Sequence, residues 1–276
     1  MPLTGLNFES APLFFCLFGD ALSLKRRGEK EQQMNKIKLI AVLAVTILAV
    51  VSGCGKESDK SRIEKARREA ENFAMSGRRL AQSIIVANVD RQIKGKPSLW
   101  PHNDENDGKS ADTEDIAGMS FNSSTAYFKE LFDVQNQQDA DNWAPYIEGC
   151  EVSWLSGGGV PLAKSGRLAP ENVGWIVASG ITEDMSDYMP VLISANVNTD
   201  MLITSGKAAT ASDNRRIPIG TANGASKDIF ANQFVVVITK FGGAYVIDRN
   251  DFTMRNLYNN RYIVIPDGIT LRYLKP

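Results

Sequence analysis

Apolar residues recur at steps of three and four along one long stretch of the chain, from Ser61 to about Arg91. This spacing places them on one face of an α-helix and leaves the charged side chains largely outside it. The stretch predicts a long amphipathic helix over 61–91, with Ser61 as N-cap and Glu64 completing a capping box. Gly77 weakens that helix by about 1 kcal/mol relative to Ala, unless close packing requires a residue without a side chain. The apolar positions are Ile63, Ala66, Ala70, Phe73, Gly77, Leu80, Ile84 and Ala87.

From Val173 onward the residue pattern is typical of β-strands. "VGWIVASGI" and "MPVLISANV" are compact apolar runs, and "FVVVITKFGGAYVID" contains two strands around Gly242-Gly243, which suits a tight hairpin turn. "RYIVIPDGITLRYL" repeats this pattern around Pro266-Asp267-Gly268. Sequential hairpins predict an antiparallel sheet over 173–276. The predicted fold class is therefore α+β: a long N-terminal amphipathic helix packed on a C-terminal antiparallel β-sheet.

The middle of the chain, 92–172, is rich in loops. It contains Pro97, Pro101 and a dense acidic run, and only "SSTAYFKELFD" has the pattern of a short capped helix. We expect three of the tryptophans, two in this region and one in the first predicted strand, to pack into the core. They are Trp143, Trp154 and Trp175.

A thirteen-residue apolar run precedes the domain at 39–51, with Lys36 and Lys38 before it and small residues after it. A bilayer-spanning helix needs ~20 apolar residues, so the run is short for a permanent span. A basic start, a short apolar centre and a small-residue exit are typical of a secretory signal.

The end of this run, Val51-Ser52-Gly53-Cys54, resembles a bacterial lipobox. The resemblance implies that the Cys54 thiol receives a diacylglyceryl group and that the signal is cut between Gly53 and Cys54. The alternative is a short apolar helix that ends at an incidental cysteine. On the first interpretation Met34 is the natural start, 1–33 is an upstream extension, 34–53 is the signal peptide, 54–60 is a tether and 61–276 is the folded domain.

Charge and cysteine content narrow the functional classes. Cleavage before Cys54 removes six of the 31 Lys and Arg residues and four of the 32 Asp and Glu residues, which leaves a net charge of −3. A chain with this net charge lacks the excess of basic residues that is typical of nucleic-acid-binding proteins. Of the three cysteines, Cys16 lies in the extension and Cys54 carries the lipid, so Cys150 has no partner for an internal disulfide.

Several segments resemble a pseudopilin-like family of the Verrucomicrobia–Lentisphaerae group, related to type II secretion. The likeness extends over roughly 77–247, and its evidence is the order of the segments along the chain. The segments are "GRRLAQSIIVANVDRQ", "LWP", "SSTAYFKELFD", "ENVGWIVASGI", "MPVLISANVN" and "FVVVITKFGGAYVI". The resemblance implies a pilin-like fold. The chain lacks the prepilin pattern of a Gly followed by Phe-Thr-Leu, and the lipobox predicts that its apolar segment is removed.

Candidate chemistry is sparse. His102, the only histidine, lies beside Pro101 in the acidic loop, where solvation is its expected state. The loop at 102–115 resembles a calcium loop, with Gly108 at the sixth place, but Asn103 at the first place and Glu105 at the third are poor matches. We therefore expect a solvated loop, and calcium binding is the alternative. Gly157 to Gly159 form either a flexible turn or an anion-binding nest. Cys150 stands between Glu148 and Glu151, so thiolate activation is not indicated. We expect no catalytic residue, no metal and no cofactor.

These features predict a non-enzymatic envelope lipoprotein with a structural or accessory role in type II secretion or pilus-like assembly. Its expected partners are the membrane, through the lipid on Cys54, and envelope or secretion-system proteins. Gly55 follows the lipidated cysteine where an inner-membrane retention signal has Asp, which favours the outer membrane. The alternative is a periplasmic ligand- or calcium-binding lipoprotein unrelated to secretion.

Overall fold

Helix α1 extends from Asp59 to Ile93 in the computed structural model, which describes residues 59–96, 98–101, 119–132, 150–163, 167–206 and 213–276. The helix is confirmed and is two residues longer at each end than the sequence predicts. Ser61 lies inside it, so the prediction that Ser61 is the N-cap is wrong. Asp59 occupies the first turn, where a carboxylate interacts favourably with the helix dipole.

The buried side of α1 matches the predicted apolar stripe from Ala66 to Ile84. Ile63 is the exception, because its side chain is 41% exposed. Every residue of 59–65 is exposed, so this end of the helix has no packing surface to cover Ile63. Salt bridges one turn apart, such as Arg68 to Glu64 at 2.6 Å, support the exposed turns by a few tenths of a kcal/mol each.

The described residues contain two further α-helices and five strands: α2 (Ser124–Leu131), α3 (Met254–Leu257), β1 (Trp175–Ser179), β2 (Pro190–Ser194), β3 (Phe234–Thr239), β4 (Ala244–Asp248) and β5 (Arg272–Leu274). The strands form one sheet in the order β4-β3-β2-β1-β5, and all neighbouring strands are antiparallel. Helix α1 packs on β3 and β4, and α2 packs against β1. Strands β1, β2 and β3 are buried along their whole length. The α+β class is therefore confirmed.

The hairpin around Gly242-Gly243 is confirmed, since β3 and β4 pair on either side of it. The second predicted hairpin is wrong, because β5 pairs with β1 and 261–265 form no strand. A distant segment takes the place of the expected partner. The amide of Ile265 donates to the carbonyl of Gly206, and that of Leu271 donates to the carbonyl of Thr204.

Close packing explains the glycine in the middle of α1. A Cβ atom at Gly77 would lie 2.4 Å from Trp175 Cη2 and 2.9 Å from Ile238 Cγ1. One turn earlier, the ring of Phe73 stacks on Trp175 with centroids 3.9 Å apart. The cost in helix propensity is therefore offset by the close approach of α1 to the indole ring.

The predicted role of the tryptophans holds for the two that the structure describes. Trp175 is fully buried, and its Nε1–H donates to the carbonyl of Trp154 at 2.9 Å. Trp154 is partly buried against the same core. Trp143 lies outside the described residues.

The short helix α2 is confirmed and is fixed by specific hydrogen bonds. The Ser123 side chain caps it by accepting from the amide of Ala126. Ser124 Oγ donates to the carbonyl of Trp175 on β1, and the Tyr127 hydroxyl donates to the carbonyl of Leu99. These bonds attach α2 to the sheet and to the segment that follows α1.

Candidate interaction surface

Helix α1 has a second apolar face, directed away from the sheet. We define the outer face of α1 as Met75, Val86, Val89 and Ile93. These residues recur at steps of three, four or eleven, so they lie on one side of the helix, opposite the buried stripe. Val86 is 71% exposed and Ile93 is 80% exposed. On the same side, the exposed Arg79 and Gln82 separate Met75 from the other three residues, so Val86, Val89 and Ile93 form the continuous apolar part of this face. Single exposed apolar residues are ordinary, whereas a contiguous apolar group indicates an interaction site.

A groove of about 400 Å³ lies beside the C-terminal half of α1. We call it the α1 groove. Apolar and polar side chains from α1, from the segment after it and from the loops between strands form its walls. The lining includes Ile85, Asn88, Val89, Gln92, Lys96, Trp100, Ile181, Thr182, Glu183, Asp187, Lys240, Phe241 and Ile269.

Lys240 fixes one wall of the α1 groove. Its Nζ donates to the carbonyls of Glu183 at 2.6 Å and Met185 at 2.7 Å. Partial burial lowers the pKa of Lys240, and nearby carboxylates, Asp187 foremost, oppose this shift. The side chain therefore holds the turn before β2 in place, and its ammonium group is already occupied by carbonyl oxygens.

Phe241 extends the apolar surface beyond the groove. It stands in the β3–β4 turn, is 75% exposed, and precedes Gly242. Gly242 has a φ of 78°, and a Cβ atom there would be 3.2 Å from Gln82 Cγ and 3.5 Å from Ile85 Cδ1 on α1. The turn thus contacts α1 next to its outer face, so Phe241, the groove and the outer face of α1 lie close to one another.

The environment of Cys150 does not activate its thiol. Burial raises the pKa of the Cys150 thiol to about 11, against a smaller lowering by the Ser83 hydroxyl. A thiol with that pKa is protonated at neutral pH and is a poor nucleophile. Within the ranges that the structure covers, no group of three or more His, Cys, Asp or Glu side chains is placed to hold a metal ion.

The three-glycine segment is a tight turn. The amide of Gly157 donates to the carbonyl of Val160, and the amide of Val160 donates back to Gly157. All three glycines have positive φ. Because the Gly157 amide is engaged, a nest of three free amides does not form. The turn instead supports the core, since the amide of Phe230 donates to the carbonyl of Gly158.

The most strained described backbone also has a structural role. Phe230, Ala231 and Asn232 have φ near +50°, a left-handed conformation that is costly for residues other than glycine. The ring of Phe230 packs against Phe73, with centroids 5.5 Å apart. The Asp228 carboxylate accepts hydrogen bonds from Thr221 and Asn232, which lowers its pKa and fixes the turn.

Several residues predicted from the sequence lie outside the described residues. They are the lipidation site Cys54 with Gly53, the acidic loop 102–115 with His102, and Trp143. For the segments that are described, no helix combines the length and apolar character needed to cross a membrane.

The outer face of α1 was missed at the sequence level, although its signal is present. Val86, Val89 and Ile93 follow an i, i+3, i+7 pattern beside the buried stripe. Phe241, an aromatic residue before a Gly-Gly turn, is a second recognisable sign. The walls of the α1 groove come from segments that are far apart in the sequence. No short sequence pattern therefore predicts that these segments lie together.

Comparison with known proteins adds no relative: no protein-family model, no curated protein and no solved structure matches the chain.

Proposed function

We propose that this protein is a membrane-anchored, pseudopilin-like envelope lipoprotein with a structural or accessory role in type II secretion or pilus-like assembly. In this proposal it acts by binding another envelope protein. The observation that carries the proposal is the outer face of α1, an aligned apolar surface next to a groove and to the exposed Phe241. Lipid on Cys54 holds the domain at the membrane, and the finer pilin-like assignment belongs to the same proposal.

The energetics favour a protein partner for this surface. Full burial of a Val, Ile or Phe side chain contributes about 1.5–3 kcal/mol relative to exposure. Val86, Ile93 and Phe241 are each more than two-thirds exposed, so a partner that covers them gains several kcal/mol from these three alone. A few buried side chains contribute most of the binding energy of a protein interface, and an exposed aromatic ring such as Phe241 is suited to such a position.

The N-terminal signal decides between a filament subunit and an accessory protein. A filament subunit retains its apolar segment for packing in the filament core. Cleavage before Cys54 would remove that segment and leave a lipid in its place. A lipid-tethered domain is therefore suited to an accessory role beside such an assembly, with its apolar contacts made through α1.

The test is co-purification of envelope proteins with the Val86→Asp variant and the wild type. A carboxylate at this exposed position leaves the fold intact but penalises a dry apolar interface. We expect at least a tenfold loss of partner recovery, which corresponds to 1.4 kcal/mol or more. Ile63→Asp is the matched control, because Ile63 is an exposed apolar residue at the other end of the same helix. Unchanged recovery for Val86→Asp, or an equal loss for Ile63→Asp, would refute the proposal.

The α1 groove favours one alternative, a periplasmic ligand-binding lipoprotein. Its volume of about 400 Å³ falls within the range of small-molecule sites. A ligand that binds only the folded state raises the melting temperature. The melting temperature can be measured with a set of small apolar compounds and with calcium. If none of them raises it, this alternative is rejected.

A further inference from the structure

We infer that two copies of this chain associate through strand β4, so that two five-stranded sheets join into one sheet of ten. This inference goes beyond the proposed function and does not depend on it. Strand β4 is an edge strand of the sheet. The inference rests on which residues of β4 direct their backbone N–H and C=O groups away from β3. An unpaired edge presents a row of backbone donors and acceptors to another strand.

Two hydrogen bonds fix which residues of β4 face β3. The amide of Thr239 donates to the carbonyl of Gly243 at 2.8 Å, and the amide of Arg249 donates to the carbonyl of Gln233 at 2.7 Å. Gly243 and Arg249 therefore direct their backbone groups toward β3. In an antiparallel ladder this orientation alternates along the strand.

The alternation leaves three residues facing outward. Tyr245 and Ile247 bond to β3, and Ala244, Val246 and Asp248 direct their N–H and C=O groups away from it. Across the described part of the chain, no hydrogen bond reaches these six backbone groups. Asp248 uses only its side chain, which accepts from the amide of Asn250.

Within the described residues, this edge has no proline, lysine or bulge to block strand addition, and Asp248 is its one charged side chain. The sequence of β4, AYVID, contains no proline and no lysine. It has no bulge, because its register with β3 is continuous from Phe234↔Asp248 to Ile238↔Ala244. Lysine, proline and bulges are the common protective devices on exposed edges.

The outward pattern is self-complementary, which identifies a second copy as the occupant. A two-fold axis at Val246 places Val246 opposite its equivalent, and Ala244 opposite Asp248 in both directions. Each opposed pair exchanges two N–H···O bonds, so the six outward groups on each copy are all satisfied. No like charges face each other, because Asp248 meets Ala244. Such an isologous pairing closes at the dimer.

Cysteine cross-linking tests the axis directly in the full chain. In this pairing the two Val246 Cα atoms are about 5.5 Å apart, within the range that a disulfide bridges. Val246→Cys should form disulfide-linked dimers on mild oxidation. Val264→Cys is the control, since Val264 is an exposed valine on another segment. Equal cross-linking of the two variants, or a wild-type monomer at all concentrations by sedimentation equilibrium, would overturn the inference.

Proline substitutions test which backbone amides of β4 face away from β3. Val246→Pro removes an amide that faces away from β3, so we expect a folded monomer. Ile247→Pro removes an amide that bonds to β3, so we expect a lower melting temperature. A Val246→Pro protein that still dimerises would also overturn the inference. Both experiments report only on contacts between copies of this chain, so their failure would leave the proposed function untouched.

Discussion

Leu80→Asp is expected to leave the domain unfolded at 25 °C. Leu80 is fully buried on the face of α1 that packs on the sheet. The substitution removes an apolar contact worth about 2–5 kcal/mol and buries a carboxylate without a partner, which costs several kcal/mol more. The sum approaches or exceeds the whole stability of a typical domain, about 5–15 kcal/mol. Circular dichroism and urea denaturation provide the measurement.

Val86→Asp is the control for this experiment, because it makes a similar change two turns away on the exposed side of the same helix. It should melt close to the wild type. A Leu80→Asp variant with wild-type melting would show that the apolar stripe of α1 faces solvent or a partner, and the description of the core would be wrong.

Cys54→Ser is expected to leave the precursor without lipid and with its signal uncut. Each buried methylene of an acyl chain contributes ~0.8 kcal/mol, so one chain binds marginally and two or more anchor stably. A hydroxyl at position 54 removes the acceptor thiol, and the lipoprotein peptidase would leave the signal uncut. The precursor should then incorporate no fatty acid.

Labelling with a fatty-acid analogue and intact mass measurement of both forms check this expectation. The wild-type product should begin at Cys54 and contain acyl chains. Equal labelling of the two forms, or a wild-type product that begins before Cys54, would reject the lipoprotein interpretation. That outcome would favour the retained apolar helix of a pilin.

Local patterns predicted most of the fold correctly. The helix over 59–93 and the β3–β4 hairpin have signals confined to a short window, namely a 3.6-residue period and a Gly-Gly turn. The N-terminal bound of α1 was misplaced because the first turns of the helix are exposed and charged. Their helical state comes from propensity and salt bridges, which leave no apolar period to mark the boundary.

Long-range pairing was not predictable from these patterns. Residues 262–265 alternate between exposed and buried as a strand would, and Pro266-Asp267-Gly268 is a good turn. The structure nevertheless inserts Thr204 and Gly206 beside this turn, and β5 pairs with β1, nearly a hundred residues away. A short window of sequence does not indicate which distant strand will pair with a given segment.

The candidate surface was predictable only in part. The outer face of α1 is a helical period that the sequence contains in full. The α1 groove depends on Lys240 bonding to the carbonyls of Glu183 and Met185, a contact between segments more than fifty residues apart. Gly77 was predictable in part. The sequence shows that a glycine lowers the helix propensity at this position, and the structure shows that a side chain there would collide with Trp175.

The most direct test of the central claim is site-specific photo-crosslinking in intact cells, with a photoreactive residue at Val86 or at Phe241. The claim is that the outer face of α1 and its neighbouring groove bind another envelope protein. We predict that both positions give an adduct of the same discrete mass, identified by mass spectrometry as a different protein, and that Val264 gives none. No adduct at Val86 and Phe241, adducts only with the chain itself, or an identical adduct at Val264 would contradict the account.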